Sequence, residues 1–329
     1  MLNNFNTFNN VDLKTLQERQ QWTLDQKIYH SLEVIDNFIA RMDGKVYLAF
    51  SGGKDSTVLM HLCEMVKKDI LCVFVNTGCE SPSIVKFVRE MKEEGHNIMT
   101  IRPKMTPRQV WAKYGFPLVS KKQAQMIHSV RMNPNTKCSR KALGLEGETM
   151  FLISKKWQYL IDVPYETSDM CCNKLKKEPS HRIADELGLA PILGIMASES
   201  LMRTTDYIRW GGCNVFKDNK LHSKSMPLSL WTDDDIWEFI RTKNIRIADD
   251  YSRGKNRTGC VCCGFGVQFP DDTRLEFLYK YHPKYYNMVM NFTNNGVTYR
   301  EALREMLAVN GLTLPDEKIE KPKQLSLFE

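Results

Sequence analysis

The chain has 329 residues, of which 42% are hydrophobic and 26% charged, the composition of a soluble protein large enough for one large domain or two ordinary ones. No run approaches the ~20 apolar residues of a membrane span, and the Asn-rich stretch Met1–Asn10 lacks a basic-then-apolar leader, so a cytoplasmic protein without a membrane partner is expected. The net charge of +7 is uneven: residues 102–182 carry sixteen Lys/Arg against six Asp/Glu, which points to a polyanionic partner or to a solvated basic face. Ten cysteines in a reducing compartment are expected to be ligands or redox groups rather than a disulfide framework.

In chain order, residues 11–42 predict one long amphipathic helix, because Ile28, Leu32, Ile35, Ile39 and Met42 recur on one face. Val46–Phe50 reads as a buried strand that breaks at Ser51-Gly52-Gly53 and restarts as a helix at Lys54. A second strand spans Ile70–Val75, Pro82 opens a helix over about 82–94, and residues 97–101 form a third strand. The βαβαβ pattern predicts an α/β fold with a doubly wound, mostly parallel sheet and a helical C-terminal region. Residues 103–156 are punctuated by prolines and rich in Lys/Arg, and read as a basic insertion near the mouth of the site. Core elements resume at Tyr159–Ile161 and Pro191–Met196 around a helix near 179–188. Thr232 caps a further helix, and residues 273–309 are mainly helical. The expected divisions are 1–44, 45–270, 271–312 and 313–329.

Ser51, Gly52, Gly53, Lys54, Asp55 and Ser56 form the first candidate site. Two glycines let backbone approach a phosphate, the helix N-terminus attracts the anion, Lys54 adds charge and the two serines add hydroxyls. The spacing differs from a Walker A loop. It resembles the PP-loop of the adenine-nucleotide α-hydrolase superfamily, whose members bind ATP or an adenylated sulfur compound at this loop.

Cys171-Cys172 and the Gly-Cys-Val-Cys-Cys-Gly run at 259–264 form the second candidate site, with Cys213 beside two glycines. Thiolates in this number suit zinc or an iron–sulfur cluster, and the adjacent pair favours the cluster. Cys172, Cys260 and Cys263 are the first choices, with Cys171 or Cys213 as the fourth. Cys63 and Cys72 read as core residues; Cys79 and Cys138 stay open, Cys79 as a redox candidate.

A Cys-Cys pair followed about ninety residues later by C-x-x-C resembles the [4Fe–4S] pattern of adenylyl-sulfate reductases. Cys171–Pro179, Gly194–Arg203 and Pro227–Trp237 resemble further segments of that group, and Arg203 corresponds to its substrate arginine. On residues 45–265 the chain is identified as a member of the phosphoadenosine-phosphosulfate (PAPS) reductase superfamily. It departs from the reductases in having no cysteine after Cys263, where they carry a nucleophile in a tail motif. The full PP-loop together with cysteines resembles instead the ATP-using members that thiolate tRNA or introduce phosphorothioate into DNA.

That resemblance implies ATP with Mg²⁺ at the loop and a [4Fe–4S] cluster. It implies Lys54, Asp55 and Arg203 as working residues, with Asp55 holding the metal through water. It also implies a sulfur donor such as a cysteine desulfurase, and an acceptor adenylated and thiolated on nucleic acid, DNA rather than RNA. The alternatives are reduction of PAPS or adenylyl sulfate, and a non-catalytic nucleotide-sensing module associated with DNA. The ending Gln324–Phe328, after a Pro- and charge-rich stretch, resembles the peptide that binds the bacterial sliding clamp, or else folds onto the protein's own core.

Overall fold

The computed structural model describes residues 11–147 and 151–318. The chain forms two compact units, each built from two separated stretches: Met1–Pro103 with Lys176–Gly259, and Lys104–Leu175 with Cys260–Glu329. The boundaries expected at 44, 270 and 312 do not coincide with this division. The Gln324–Phe328 motif lies outside the described residues.

The first unit opens with helices α1 (Leu13–Gln20) and α2 (Leu24–Arg41). The single helix expected over 11–42 is therefore two. Thr23 starts the second with a capping box: its hydroxyl accepts from the Gln26 amide, and the Gln26 side chain accepts from the Thr23 amide. Those bonds hold Thr23 in an extended conformation, so the helix cannot run through it. Strand β1 (Val46–Phe50), helix α3 (Lys54–Val66), β2 (Cys72–Val75), α4 (Pro82–Glu93) and β3 (Ile98–Ile101) follow.

The chain then supplies the second unit with α5 (Pro107–Tyr114), β4 (Leu118–Val119), α6 (Lys121–Met132), α7 (Lys137–Ala142) and the short α8 (Met170–Cys172). Tyr159–Ile161, expected as a core element, belongs to a 3₁₀ helix over Lys155–Ile161 in which Leu160 is buried. The first unit is completed by α9 (Glu178–Leu187), β5 (Ala190–Leu193), α10 (Leu201–Trp210), β6 (Asn214–Val215), β7 (Lys224–Ser225), α11 (Asp233–Thr242) and α12 (Asp249–Ser252).

In the first unit the strands order β3-β2-β1-β5-β7-β6. All neighbours are parallel except β6 with β7, and β1 is central, with Leu48 opposite both Cys72 and Ile192. This is the doubly wound, mostly parallel sheet expected. One face buries Leu48, Phe50, Cys72 and Phe74 against Phe38 of α2, Leu59 and Leu62 of α3, and Phe87 of α4. Each such side chain contributes about 1.5–3 kcal/mol by leaving water. The other face packs Tyr47 and Val73 against Ile183 and Ala184 of α9. Strand order reverses at β1, so the carboxyl ends of β1 and β5 form the crevice where such sheets bind ligands.

The second unit ends with β8 (Gly264–Phe265), α13 (Arg274–Tyr281), α14 (Pro283–Met290), the hairpin β9 (Thr293–Asn294) with β10 (Val297–Thr298), and α15 (Tyr299–Ala308). The region expected to be mainly helical over 273–309 is three helices interrupted by that hairpin. Trp111, Phe116 and Tyr299 pack together in this unit, the Trp111 and Tyr299 ring centroids 4.6 Å apart.

Among the described residues, no helix is long and apolar enough to cross a membrane.

Candidate functional site

The Ser51–Ser56 loop leaves the carboxyl end of β1 and becomes the first turn of α3. Gly52 has φ +72°, and a Cβ there would lie 2.8 Å from Val88 Cγ2. At Gly53 a Cβ would lie 2.5 Å from Thr258 Oγ1 and 3.3 Å from the Tyr251 hydroxyl. Both positions need glycine, one for conformation and one for space. Gly194, just past β5, lies against the backbone of Ser56: its Cβ would sit 3.4 Å from Ser56 Cα.

Three of the loop's amides are bonded to hydroxyls. The Ser51 amide donates to Ser56 Oγ at 3.2 Å, the Gly53 amide to Ser51 Oγ at 3.3 Å, and the Lys54 amide to the Tyr251 hydroxyl at 2.6 Å. Ser56 Oγ donates to the Gly53 carbonyl at 2.9 Å.

Lys54 is buried, and its ammonium is shared between Asp55 Oδ1 at 2.8 Å and Asp233 Oδ1 at 2.5 Å. Burial by itself lowers the lysine's pKa. The bonds to Asp233 and Asp55 outweigh it and raise the pKa above the usual value, so the ammonium stays charged. Asp233 is the first residue of α11, placed by the capping box of Thr232 with Asp235. Trp237 Nε1 donates to its other oxygen at 3.1 Å. Asp55, expected to hold a metal through water, is thus bonded to Lys54.

Arg203 lies on α10, whose N-cap is Ser200. Its Nε is 3.8 Å from Glu199 Oε2, and Arg257 Nη2 is 3.5 Å from the same oxygen. Glu199 thus gathers two arginines, and Arg257 directly precedes the Thr258 that crowds Gly53.

Against the face of β1 and β2, and reaching their carboxyl ends, lies a cavity of about 170 Å³. Ala49, Val73 and Val75 give it an apolar wall, and Ser51, Thr77, Glu80, Lys176 and Ser180 give it a polar rim. Glu80 is fixed by the Thr77 amide and hydroxyl at 2.9 and 2.7 Å. Sequence reasoning missed Asp233, Tyr251, Thr258, Glu80 and Arg257. Asp233 stood in the Thr232–Asp235 run, but only its capping value was legible; the others carried no local signal.

The second unit brings four of the five candidate cysteine ligands into one neighbourhood. The Cys171 thiol is raised well above the usual range, first by its hydrogen bond with Cys172, then by burial and by the charges of Cys172, Cys263 and Cys260. Burial, with Cys260 beside it, pushes Cys263 up to about 12. Arg274 Nη1 donates to the carbonyls of Cys263 and Phe265 at 3.0 and 3.1 Å, and the Tyr299 hydroxyl donates to the Cys262 carbonyl at 3.0 Å, so the 262–265 turn is fixed.

Cys213 belongs to the first unit. It is buried 3.7 Å from His30 Nε2, and burial pushes its thiol up to about 11. It is not among the groups that raise Cys171. Cys63 and Cys72 are core residues, as expected; Cys79 is buried and Cys138 exposed. None of the ten cysteines is in a disulfide.

Among the described residues, no three His, Cys, Asp or Glu side chains converge as a single metal ion requires. A tetrahedral zinc at a Zn–S distance of about 2.3 Å draws its sulfurs to about 3.8 Å from one another. A cubane cluster is ligated at its corners by thiols spaced more widely, and four partly exposed thiols in one neighbourhood fit that donor set.

The family model described as "Phosphoadenosine phosphosulfate reductase domain" matches residues 45–138 and 146–264. The chain is 22% identical over 261 residues to the adenosine 5'-phosphosulfate reductase of Geobacillus kaustophilus, covering 78% of this chain and 88% of that protein. It is 34% identical over 110 residues to the adenosine 5'-phosphosulfate reductase of Oceanobacillus iheyensis, covering 32% of this chain and 42% of that one. The crystal structure of a phosphoadenylyl-sulfate reductase from Candida auris in a phosphate complex is similar with a TM-score of 0.44 and 13% identity, over 76% of this chain and 96% of that one.

The relatives' names overturn the expectation of ATP-dependent sulfur insertion and favour the reductase alternative. The physical reason for the error lies in the loop. A glycine loop at a helix N-terminus suits phosphate in general, which ATP and adenylyl sulfate share, so an intact PP-loop does not distinguish the two. With the family model covering most of the chain, including both the loop and the cysteines, the chain belongs to the phosphoadenosine phosphosulfate reductase domain family.

Proposed function

We propose that the chain is a sulfonucleotide reductase that takes adenylyl sulfate, or its 3'-phosphorylated form, at the Ser51–Ser56 loop and releases sulfite. The observation that carries this reading is the likeness to the G. kaustophilus reductase along most of both chains. The site's geometry supports it. The cavity against β1 and β2 offers an apolar wall for adenine and the Glu80 carboxylate for ribose hydroxyls. The loop amides and Lys54 hold the α-phosphate. Arg203 and Arg257, steadied by Glu199, supply donors for the sulfate oxygens.

Reduction from sulfate to sulfite takes two electrons. In this reading an external dithiol supplies both. One thiolate attacks sulfur to form an S-sulfonate, the S–O bond to the nucleotide breaks, and AMP, or the 3',5'-bisphosphate from the 3'-phosphorylated substrate, leaves. The second thiol then displaces sulfite, and the reductant ends as a disulfide. Lys54 and the arginines stabilise the negative charge that moves onto the leaving phosphate. Cys171, Cys172, Cys260 and Cys263 would hold an iron–sulfur cluster, which would supply a one-electron redox centre.

The test is incubation of purified protein with adenylyl sulfate or PAPS and a dithiol, following sulfite and nucleotide together. Equal amounts of both are expected, lost in Lys54→Ala. Absence of sulfite from either nucleotide, with the protein folded and binding AMP, overturns the proposal.

A further inference from the structure

Resting on the reductase reading for the reaction, we infer that Glu80 is a specificity-determining residue: its carboxylate refuses a 3'-phosphate, so the substrate is adenylyl sulfate and not PAPS.

Ser51 of the phosphate loop and Glu80 line one cavity of about 170 Å³, with Ala49, Val73 and Val75 as its apolar wall. A nucleotide with its phosphate at the loop and its base on that wall carries its ribose past the rim where Glu80 stands. The carboxylate there is fixed. Its Oε2 accepts from the Thr77 amide at 2.9 Å, and the Thr77 hydroxyl donates to its Oε1 at 2.7 Å. Thr77 is buried, and its hydroxyl oxygen also accepts from the Cys79 amide at 3.1 Å. Glu80 cannot swing aside without leaving the donors of a buried residue unpaired.

A carboxylate has about four acceptor sites, and Thr77 fills two of them. The remaining two suit hydrogen-bond donors, and the 2'- and 3'-hydroxyls of a free ribose are donors. A 3'-phosphate removes one donor and sets about two negative charges in its place, against a carboxylate that cannot retreat. Lys176, the cation on the same rim, is not free: it already has a partner within the protein. The same contrast separates nucleotide clefts of other folds, where a carboxylate takes a free ribose hydroxyl and an arginine accommodates a ribose phosphate.

The test is isothermal titration of the full chain with AMP and with adenosine 3',5'-bisphosphate, the two possible nucleotide products. AMP is expected to bind at least about tenfold tighter. Glu80→Gln keeps the size of the side chain and an oxygen for Thr77 but removes the charge. It should tighten bisphosphate binding about tenfold and change AMP binding less than about threefold. Lys176→Ala should change both affinities alike. In the sulfite assay, kcat/KM should favour adenylyl sulfate over PAPS in the wild type, and less so in Glu80→Gln.

Three results overturn the inference and leave the reductase reading standing. One is bisphosphate binding as tight as AMP binding in the wild type. Another is an unchanged gap between the two in Glu80→Gln of unchanged melting temperature. The third is a selective loss of bisphosphate binding in Lys176→Ala, which would make the rim a phosphate site. Sulfite from neither nucleotide, with AMP still preferred in binding, refutes the reaction but keeps Glu80 as the group that excludes a 3'-phosphate. Binding of neither nucleotide by the folded protein overturns both.

Discussion

Asp233 holds the ammonium of Lys54, at 2.5 Å, from a helix that begins 179 residues further along the chain. Trp237 fixes the other oxygen of that carboxylate, and Thr232 fixes the helix start. Lys54 is thus aimed by α11 as well as by Asp55 of its own loop. It approaches the ligand with two carboxylates beside it, so the arrangement trades binding strength for position. Asp233→Asn is expected to tighten AMP binding about threefold, a screened charge–charge effect of under 1 kcal/mol, and to lower turnover because Lys54 is less well aimed. Isothermal titration with AMP and the sulfite assay read the two effects separately. Weaker AMP binding in Asp233→Asn would show that Asp233 supports the loop rather than restrains Lys54.

Gly53 is required because Thr258 stands over it. Gly53→Ala places a Cβ 2.5 Å from Thr258 Oγ1, and relief requires the loop or residue 258 to move. Nucleotide binding should fall at least tenfold. Thr258→Ala removes the obstructing hydroxyl, so the double variant Gly53→Ala/Thr258→Ala should regain most of the loss. The Tyr251 hydroxyl, 3.3 Å from the same point, limits the recovery. No recovery in the double variant would place the need for glycine in phosphate approach rather than in packing.

The sheet and the loop were legible because both are local. Val46–Phe50 is buried on both faces and reads as an unbroken apolar run, and Ser51–Ser56 has its glycines and lysine in sequence. The residues that complete the site were not legible. Asp233, Tyr251 and Thr258 reach the loop through the fold alone, and nothing in their neighbourhoods in sequence distinguishes them from a cap, a core tyrosine or a turn threonine. Cys213 was misleading for the same reason in reverse. Glycines beside it suggested a ligand, whereas burial against His30 and Tyr207 makes it part of a small core with Leu16 and Leu230. The break at residue 103 was legible as the start of the basic insertion, but the returns at 176 and 259 that make each unit from two stretches were not.

The cysteines give a prediction that separates ligands from bystanders. Anaerobically purified protein is expected to hold iron and sulfide. Substitution of Cys171, Cys172, Cys260 or Cys263 by Ser should each remove most of both, since each withdraws a thiolate from the shared neighbourhood. Cys213→Ser should retain iron and lose only stability, by about 1 kcal/mol, for a polar hydroxyl in an apolar site. Iron analysis with thermal melts distinguishes the two classes. Loss of iron in Cys213→Ser, with iron retained in Cys171→Ser, would reverse the assignment.

His30 predicts how stability follows pH. Burial strips water from its ring and Arg19 adds repulsion, so its pKa falls from 6.5 to about 4. Below pH 6.5 the unfolded chain binds a proton that the folded chain refuses until about pH 4. The stability associated with the neutral ring is therefore complete above pH 6.5 and drains away as pH falls toward 4, about 3 kcal/mol over the whole window. Between pH 7 and pH 5 the loss from this one group should be about 2 kcal/mol. Urea unfolding at those two values, compared with His30→Gln, isolates the contribution. The glutamine variant keeps a polar group beside Cys213 but has no proton to bind, so its stability should change less by that amount. An identical pH dependence in both proteins would mean that the folded state carries the proton on His30 and that the ring is not held neutral.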